Sequence, residues 1–151
     1  MASIYGVNAT KAFVNVPSDK VDVTDWGAKV RHVYDSYVVT AAPSAGDKLY
    51  MGKLPKGAKV IGARLVTPDL GTVGVLNVGY EYINSADGSA VTNAFFASVD
   101  VHTAAAQNTM AGTEAGYMYE LAGEAYLVIN ITTAWDATSG TIKLSVSYVL
   151  E

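Results

Sequence analysis

Four cations fall within the stretch "GKLPKGAKVIGARLV", residues 52–66: Lys53, Lys56, Lys59 and Arg64. Lysine beside glycine and proline could cradle a phosphate. That chemistry needs a Gly-rich loop opening a helix, whose free N-terminal amides hold the anion together with the lysine. Here the turn opens an alternating apolar segment, which makes a strand. Nucleic-acid binding asks for basic residues interleaved with exposed aromatics, usually on a basic chain, whereas the sequence pI is about 5.0. No nucleic-acid partner is expected. Two roles remain for the stretch: a lysine-bearing turn that keeps a sheet edge soluble, or a docking turn whose contact residues are Lys53 and Lys56.

Other candidates for chemistry are sparse. His32 lies between Arg31 and Val33, and His102 follows Asp100 by two positions. Such an i, i+2 pair on one strand face binds a metal only if a third ligand arrives from elsewhere. No G-x-S-x-G elbow marks a serine nucleophile. The absence of cysteine removes thiolate catalysis, disulfides and Cys-based zinc sites together. The acids fall singly on turns and strand faces, with no spacing that proposes a glycosidase pair. Neither an enzyme nor a metal or cofactor is expected.

The elements that must carry these residues are strands. A chain of 151 residues fits one domain and buries about 68 to 70% of its unfolded surface. With 50% hydrophobic and 16% charged residues it is too apolar for disorder. No apolar run approaches the roughly 20 residues that cross a bilayer as a helix, so no membrane partner is expected. "MASIYGVNATK" lacks a basic region followed by an apolar stretch, which predicts retention in the cytoplasm where the chain is made. Residues 1–64 hold nine of the ten Lys and Arg against five acids, while 65–151 hold one Lys against nine. If the halves segregate, acidic and basic parts of neighbouring copies can meet in a ring; if they interleave, the charges mix.

From 29 to 40, "KVRHVYDSYVVT" alternates with apolar residues on both faces, as in a strand covered on both sides. "KLYMGK" leads into the reversal "LPKGAK", and Pro68 stops the strand "KVIGARLVT". In "TVGVLNVGYEYI", Leu76, Val78, Tyr80 and Tyr82 form the core face, and the glycines mark a bulge or a close backbone approach. Asp87-Gly88 marks a loop. "TNAFFASVDVHTAAAQ" reads as a short helix capped by Asn93, followed by a strand. "GEAYLVINITTAW" and "TIKLSVSYVL" close the chain as strands joined by the hairpin-length "DATSG". The last of these buries Ile142, Leu144, Val146, Tyr148 and Leu150. Turn signals every 8 to 14 residues with little helix give an all-β antiparallel sandwich or jelly roll of about eight strands.

Two groups of residues stand out as interface candidates. Tyrosine, of which there are ten, gives apolar area with a hydroxyl that suits wet core edges and subunit contacts alike; Tyr117 and Tyr119 in "AGYMYE" are the candidates there, with core placement an equal alternative. Residues 1–28 lack any sustained period and read as an extended N-terminal arm ahead of a sandwich domain at 29–151. The arm spaces Ile4, Tyr5, Phe13 and Trp26 along an extended path, and these apolar residues need covering.

The stretches "SIYGVNATK", "VRHVYDSYV", "GDKLYMGKLPKGAKVIGARL", "DLGTVGVLNVGY", "FFASVDVHTAA" and "ATSGTIKLSVSYV" resemble, in order and over nearly the whole chain, the capsid decoration (cement) proteins of tailed bacteriophages. The resemblance implies a jelly-roll fold and a place on the outside of the virion. It further implies attachment to the major capsid protein as a symmetric homo-oligomer, such as a trimer, that stabilises the expanded head. The motifs mark turns and strand starts and contain no catalytic residue. Another virion component (head fibre, neck or tail) is the alternative. A carbohydrate-binding sandwich is a further one; it would need an exposed aromatic platform, for which Trp26 and Trp135 are the tryptophan candidates.

Overall fold

A computed structural model describes residues 27–107, 110 and 115–150. Eight strands make up the described chain: β1 Val30–Val38, β2 Lys48–Leu54, β3 Lys59–Thr67, β4 Val75–Tyr82, β5 Val91–Asp100, β6 Ala105–Gln107, β7 Ala125–Thr133 and β8 Thr141–Val149. They form two antiparallel four-stranded sheets, ordered β1-β8-β3-β6 and β2-β7-β4-β5. This order follows from one long hairpin centred on the β4–β5 loop. Folded back on itself, the chain pairs β4 with β5, β3 with β6, β2 with β7 and β1 with β8. Rolling that ribbon sends alternate pairs to opposite sheets, which is the jelly roll.

Because alternate pairs change sheet, only β4 and β5 are joined as a hairpin within one sheet. The "DATSG" segment is therefore no hairpin: it carries the chain from β7 in one sheet to β8 in the other. Its length suits either connection, so the two look alike in sequence. "LPKGAK" also crosses between sheets, from β2 to β3. It is a tight reversal all the same, closed by Ala58 N–H donating to Pro55 O at 3.2 Å. Gly57 at φ +81° supplies the left-handed residue that a type II turn needs at its third position.

The core lies between the sheets. Leu54, Leu65, Leu76, Leu127, Ile129, Ile131, Ile142 and Leu144 are fully buried there. Alternation was a sound guide on β4 and β8, whose expected inward residues are buried, with Leu150 half-buried. It misled on β1. Among the described strands it is an edge, with Val30, Tyr34 and Val38 all more than half exposed; on it Val33 and Tyr37 pack on the core. Valine and tyrosine on both faces reflect β propensity and not double coverage.

The expected helix at Asn93 is absent, and Val91–Asp100 is a single strand. Register explains the error. Between the pairs Leu76↔Val99 and Val78↔Phe96, β5 has one extra residue, and between Val78↔Phe96 and Tyr80↔Val91 it has three. These bulges bury Ala94, Phe95 and Phe96 consecutively, and the resulting spacing of Phe95, Phe96 and Val99 imitates a helical face. Ser98 absorbs the first bulge at φ +52°, and its N–H donates to Asn77 Oδ1 at 2.7 Å.

The two charge halves interleave. β1 and β3 from the basic half flank β8 from the acidic half, while β2 pairs with β7. Lys48–Glu81 and Lys59–Glu120 join the halves directly, at 2.8 and 3.8 Å. A ring driven by segregated halves therefore loses its basis.

Candidate interaction surfaces

At one end of the sandwich the β2–β3 turn meets the segment 115–124. Gly57 N–H donates to Leu121 O at 2.8 Å, Leu121 N–H to Ala58 O at 3.1 Å, and Met118 N–H to Val60 O at 2.8 Å. These backbone bonds bring Lys56, Tyr117 and Tyr119 to the same end although about sixty residues separate them in sequence. Lys56 and Tyr117 point to solvent, the latter 62% exposed. Tyr119 is half-exposed and stacks on Tyr80, with centroids 6.4 Å apart and planes 13° from parallel.

Lys53 has a different neighbourhood. It stands on the outer face of the β2-β7-β4-β5 sheet with its Nζ 5.2 Å from the centre of the Tyr126 ring. Tyr126 in turn meets Tyr50 edge-on at 5.2 Å. Lys48 donates to Glu81 Oε2 on the same face, and that hydrogen bond holds the Lys48 ammonium above its ordinary pKa. The cations of this face are thus matched to a carboxylate and an aromatic ring. Of the remaining cations in 52–66, Lys59 is mostly covered, while Arg64 lies away from the turn on the outer face of the other sheet.

Ile4, Tyr5, Phe13 and Trp26 lie outside the described residues, as does almost all of the expected arm. Trp135 is 2% exposed and belongs to the core, so it offers no platform to a sugar. Its indole Nε1 is buried with no hydrogen-bond partner among the described residues. Asp100 and His102 pair with each other. The His102 backbone N–H, donating to the Asp100 carboxylate, is the main reason that the latter's pKa lies below its ordinary value. Among the described residues no third Asp, Glu, His or Cys joins them.

The opposite end gathers the β1–β2, β3–β4, β5–β6 and β7–β8 loops. Val39 N–H donates to Gly140 O, Leu70 N–H to Val101 O and Ala137 N–H to Leu70 O, all at 2.9 to 3.1 Å. Asp136 fastens the group by accepting from Thr72 N–H at 3.1 Å and from its hydroxyl at 3.3 Å. Asp47, Asp69, Asp100 and Asp136 are exposed here, and these loops contain no Lys or Arg. Sequence reasoning missed this acidic end because its members come from four separate loops.

No protein-family model matches the chain, and no curated protein matches it. Solved structures share its fold. A chain from the capsid of Ralstonia phage GP4 superposes with a TM-score of 0.67 at 22% identity, covering 82% of this chain and 85% of that one. A chain from the cyanophage Pam1 capsid asymmetric unit gives 0.64 at 22% identity, covering 93% and 96%. The jelly roll described here is therefore a fold found in bacteriophage capsids.

Proposed function

We propose that the protein is a virion structural protein that binds the outer surface of a bacteriophage capsid and stabilises the expanded head. The observation that carries this reading is the agreement of fold, over 82 and 93% of the chain, with chains from two phage capsids. The major capsid protein is its partner, and a symmetric oligomer, a trimer, is its working form. Several weak footprints on one rigid body bind far more tightly than one. The contact residues proposed are Lys56, Tyr117 and Tyr119 at the turn end and Lys53 on the outer face of the β2-β7-β4-β5 sheet, with Ile4, Tyr5, Phe13 and Trp26 from the arm. No catalytic step is assigned to any of them.

Incubating the pure protein with emptied, expanded capsids and, separately, with a glycan array tests the reading. Retention on capsids supports it; retention on glycans alone replaces it with a carbohydrate-binding module. The arm gives a sharper expectation. Deleting residues 2–24 should leave the sandwich folded and weaken capsid attachment at least about tenfold, equivalent to roughly 1.4 kcal/mol. Unchanged affinity in a normally melting variant would make the arm a passive tail. Lost thermal stability with aggregation would instead make it part of its own domain's sheet.

A further inference from the structure

The outer face of the β1-β8-β3-β6 sheet carries a groove whose form follows from register. Ser145 on the central strand β8 lies opposite Tyr34 on one side and Arg64 on the other. Ser147 lies between His32 and Gly62 in the same way, with His32 Nδ1 3.3 Å from its hydroxyl. Ser145, short on the middle strand between Tyr34 and Arg64, leaves a channel beside β8 that Lys143 borders at one end. It encloses about 270 Å³ and is lined by His32, Tyr34, Arg64, Val66, Lys143 and Ser145.

The charge of this face is one-sided. Its outward positions on the four strands hold no Asp or Glu. Arg64 and Lys143 are exposed, and neither has a hydrogen-bond or ion-pair partner among the described residues. Standing one strand and two residues apart, their Cα atoms are roughly 8 Å from each other. Both cations can therefore meet one acidic loop cluster. Tyr34 is 57% exposed beside them, and Tyr and Arg are residues that interfaces favour.

We propose that this groove receives the acidic loop end of a second copy of the chain, Asp69, Asp100 and Asp136 approaching Arg64 and Lys143. The proposal deepens the oligomeric reading above by naming the surface through which copies meet. Charge complementarity carries it: the groove has cations without anions, and the loop end has carboxylates without Lys or Arg. Two cations without a partner among the described residues, on a chain of net charge −4, suit a few carboxylates better than a nucleic-acid backbone, which is held by many phosphate contacts. Single exposed ion pairs contribute little, so the contact depends on several charges acting together and on Tyr34.

Sedimentation velocity on the full chain at tens of micromolar decides the matter. The wild type should self-associate at low salt, and the association should fall away near 1 M salt, where the screening length is about 3 Å. Arg64→Glu with Lys143→Glu should weaken it at least about tenfold. So should Asp69→Asn, Asp100→Asn and Asp136→Asn together, in which the remaining amide oxygen still accepts from the backbone N–H of Gly71, His102 and Thr72 respectively. The amide N–H introduced by Asp136→Asn can donate to the Thr72 hydroxyl that Asp136 accepts from. An equimolar mixture of the two variants should regain one contact per pair, because one supplies the loops and the other the groove. A monomeric wild type, or either variant associating as the wild type does, would overturn the proposal. A monomeric wild type whose capsid retention is lost with Arg64→Glu and Lys143→Glu would assign the groove to the shell instead. Capsid retention of the wild type is read separately and tests the function itself.

Discussion

Gly79→Ala should destabilise the protein by about 3 kcal/mol or more, at the upper end of overpacking effects. Gly79 lies on β4 where β5 bulges toward it. A β-carbon added there would stand 2.0 Å from Val91 O, 2.6 Å from Thr92 C and 2.9 Å from Ala94 N. All three are main-chain atoms, so no side-chain rotation relieves the clash. β5 would have to move, and it carries Phe95 and Phe96, both at most 2% exposed. A chain of this size shifts its Tm by roughly 2 to 4 °C per kcal/mol, giving a loss of roughly 6 to 12 °C. Gly62→Ala is the control: a β-carbon there meets nothing within 4 Å, and the change should be close to neutral. Urea unfolding of the two variants measures the contrast. Equal stabilities would show that the close approach of β5 to β4 is wrong.

Alkaline pH should unfold the protein partly through one phenol. Tyr80 is 2% exposed, with Tyr82 edge-on at 5.5 Å and Phe95 at 6.1 Å. Burial, chiefly, pushes its hydroxyl far above the ordinary tyrosine pKa, with Tyr82 and Tyr119 adding to the effect. Below about pH 10 both folded and unfolded chains keep the proton, and stability does not depend on it. Above that pH the unfolded chain releases a proton that the folded chain retains. Stability then falls by about 1.4 kcal/mol for each pH unit until the folded group also ionises. By pH 12 the loss is about 2.7 kcal/mol. In Tyr80→Phe this contribution disappears, so unfolding free energies measured from pH 8 to 12 should decline less steeply than in the wild type by one proton's worth. Parallel profiles would contradict the buried position of the Tyr80 hydroxyl.

Much of the architecture was legible because it is written in alternation. Leu76 to Tyr82 and Ile142 to Tyr148 identify their buried faces without a structure, since a strand between core and solvent repeats every two residues. Two kinds of information were not local. A bulge changes the period, so Phe95, Phe96 and Val99 resembled a helical turn until their partners on β4 were known. Sheet membership is a property of the whole ribbon, so "DATSG" could not declare that it crosses between sheets. The surfaces were less legible for the same reason. Lys53 and Lys56 are neighbours in sequence, yet one lies over Tyr126 and the other beside the Tyr117 segment. His32 and Tyr34 could be placed on one face of β1, but their grouping with Arg64 and Lys143 depends on β8 standing between β1 and β3.

The central claim, that this jelly roll decorates a phage head from outside, is tested most directly by a reconstruction of particles carrying the protein, compared with particles lacking it. The account predicts difference density on the outer surface of the shell, of a size and shape that fit the two-sheet sandwich and recurring at equivalent positions of the lattice. Difference density confined to the neck or tail, or none on the shell exterior, would contradict it.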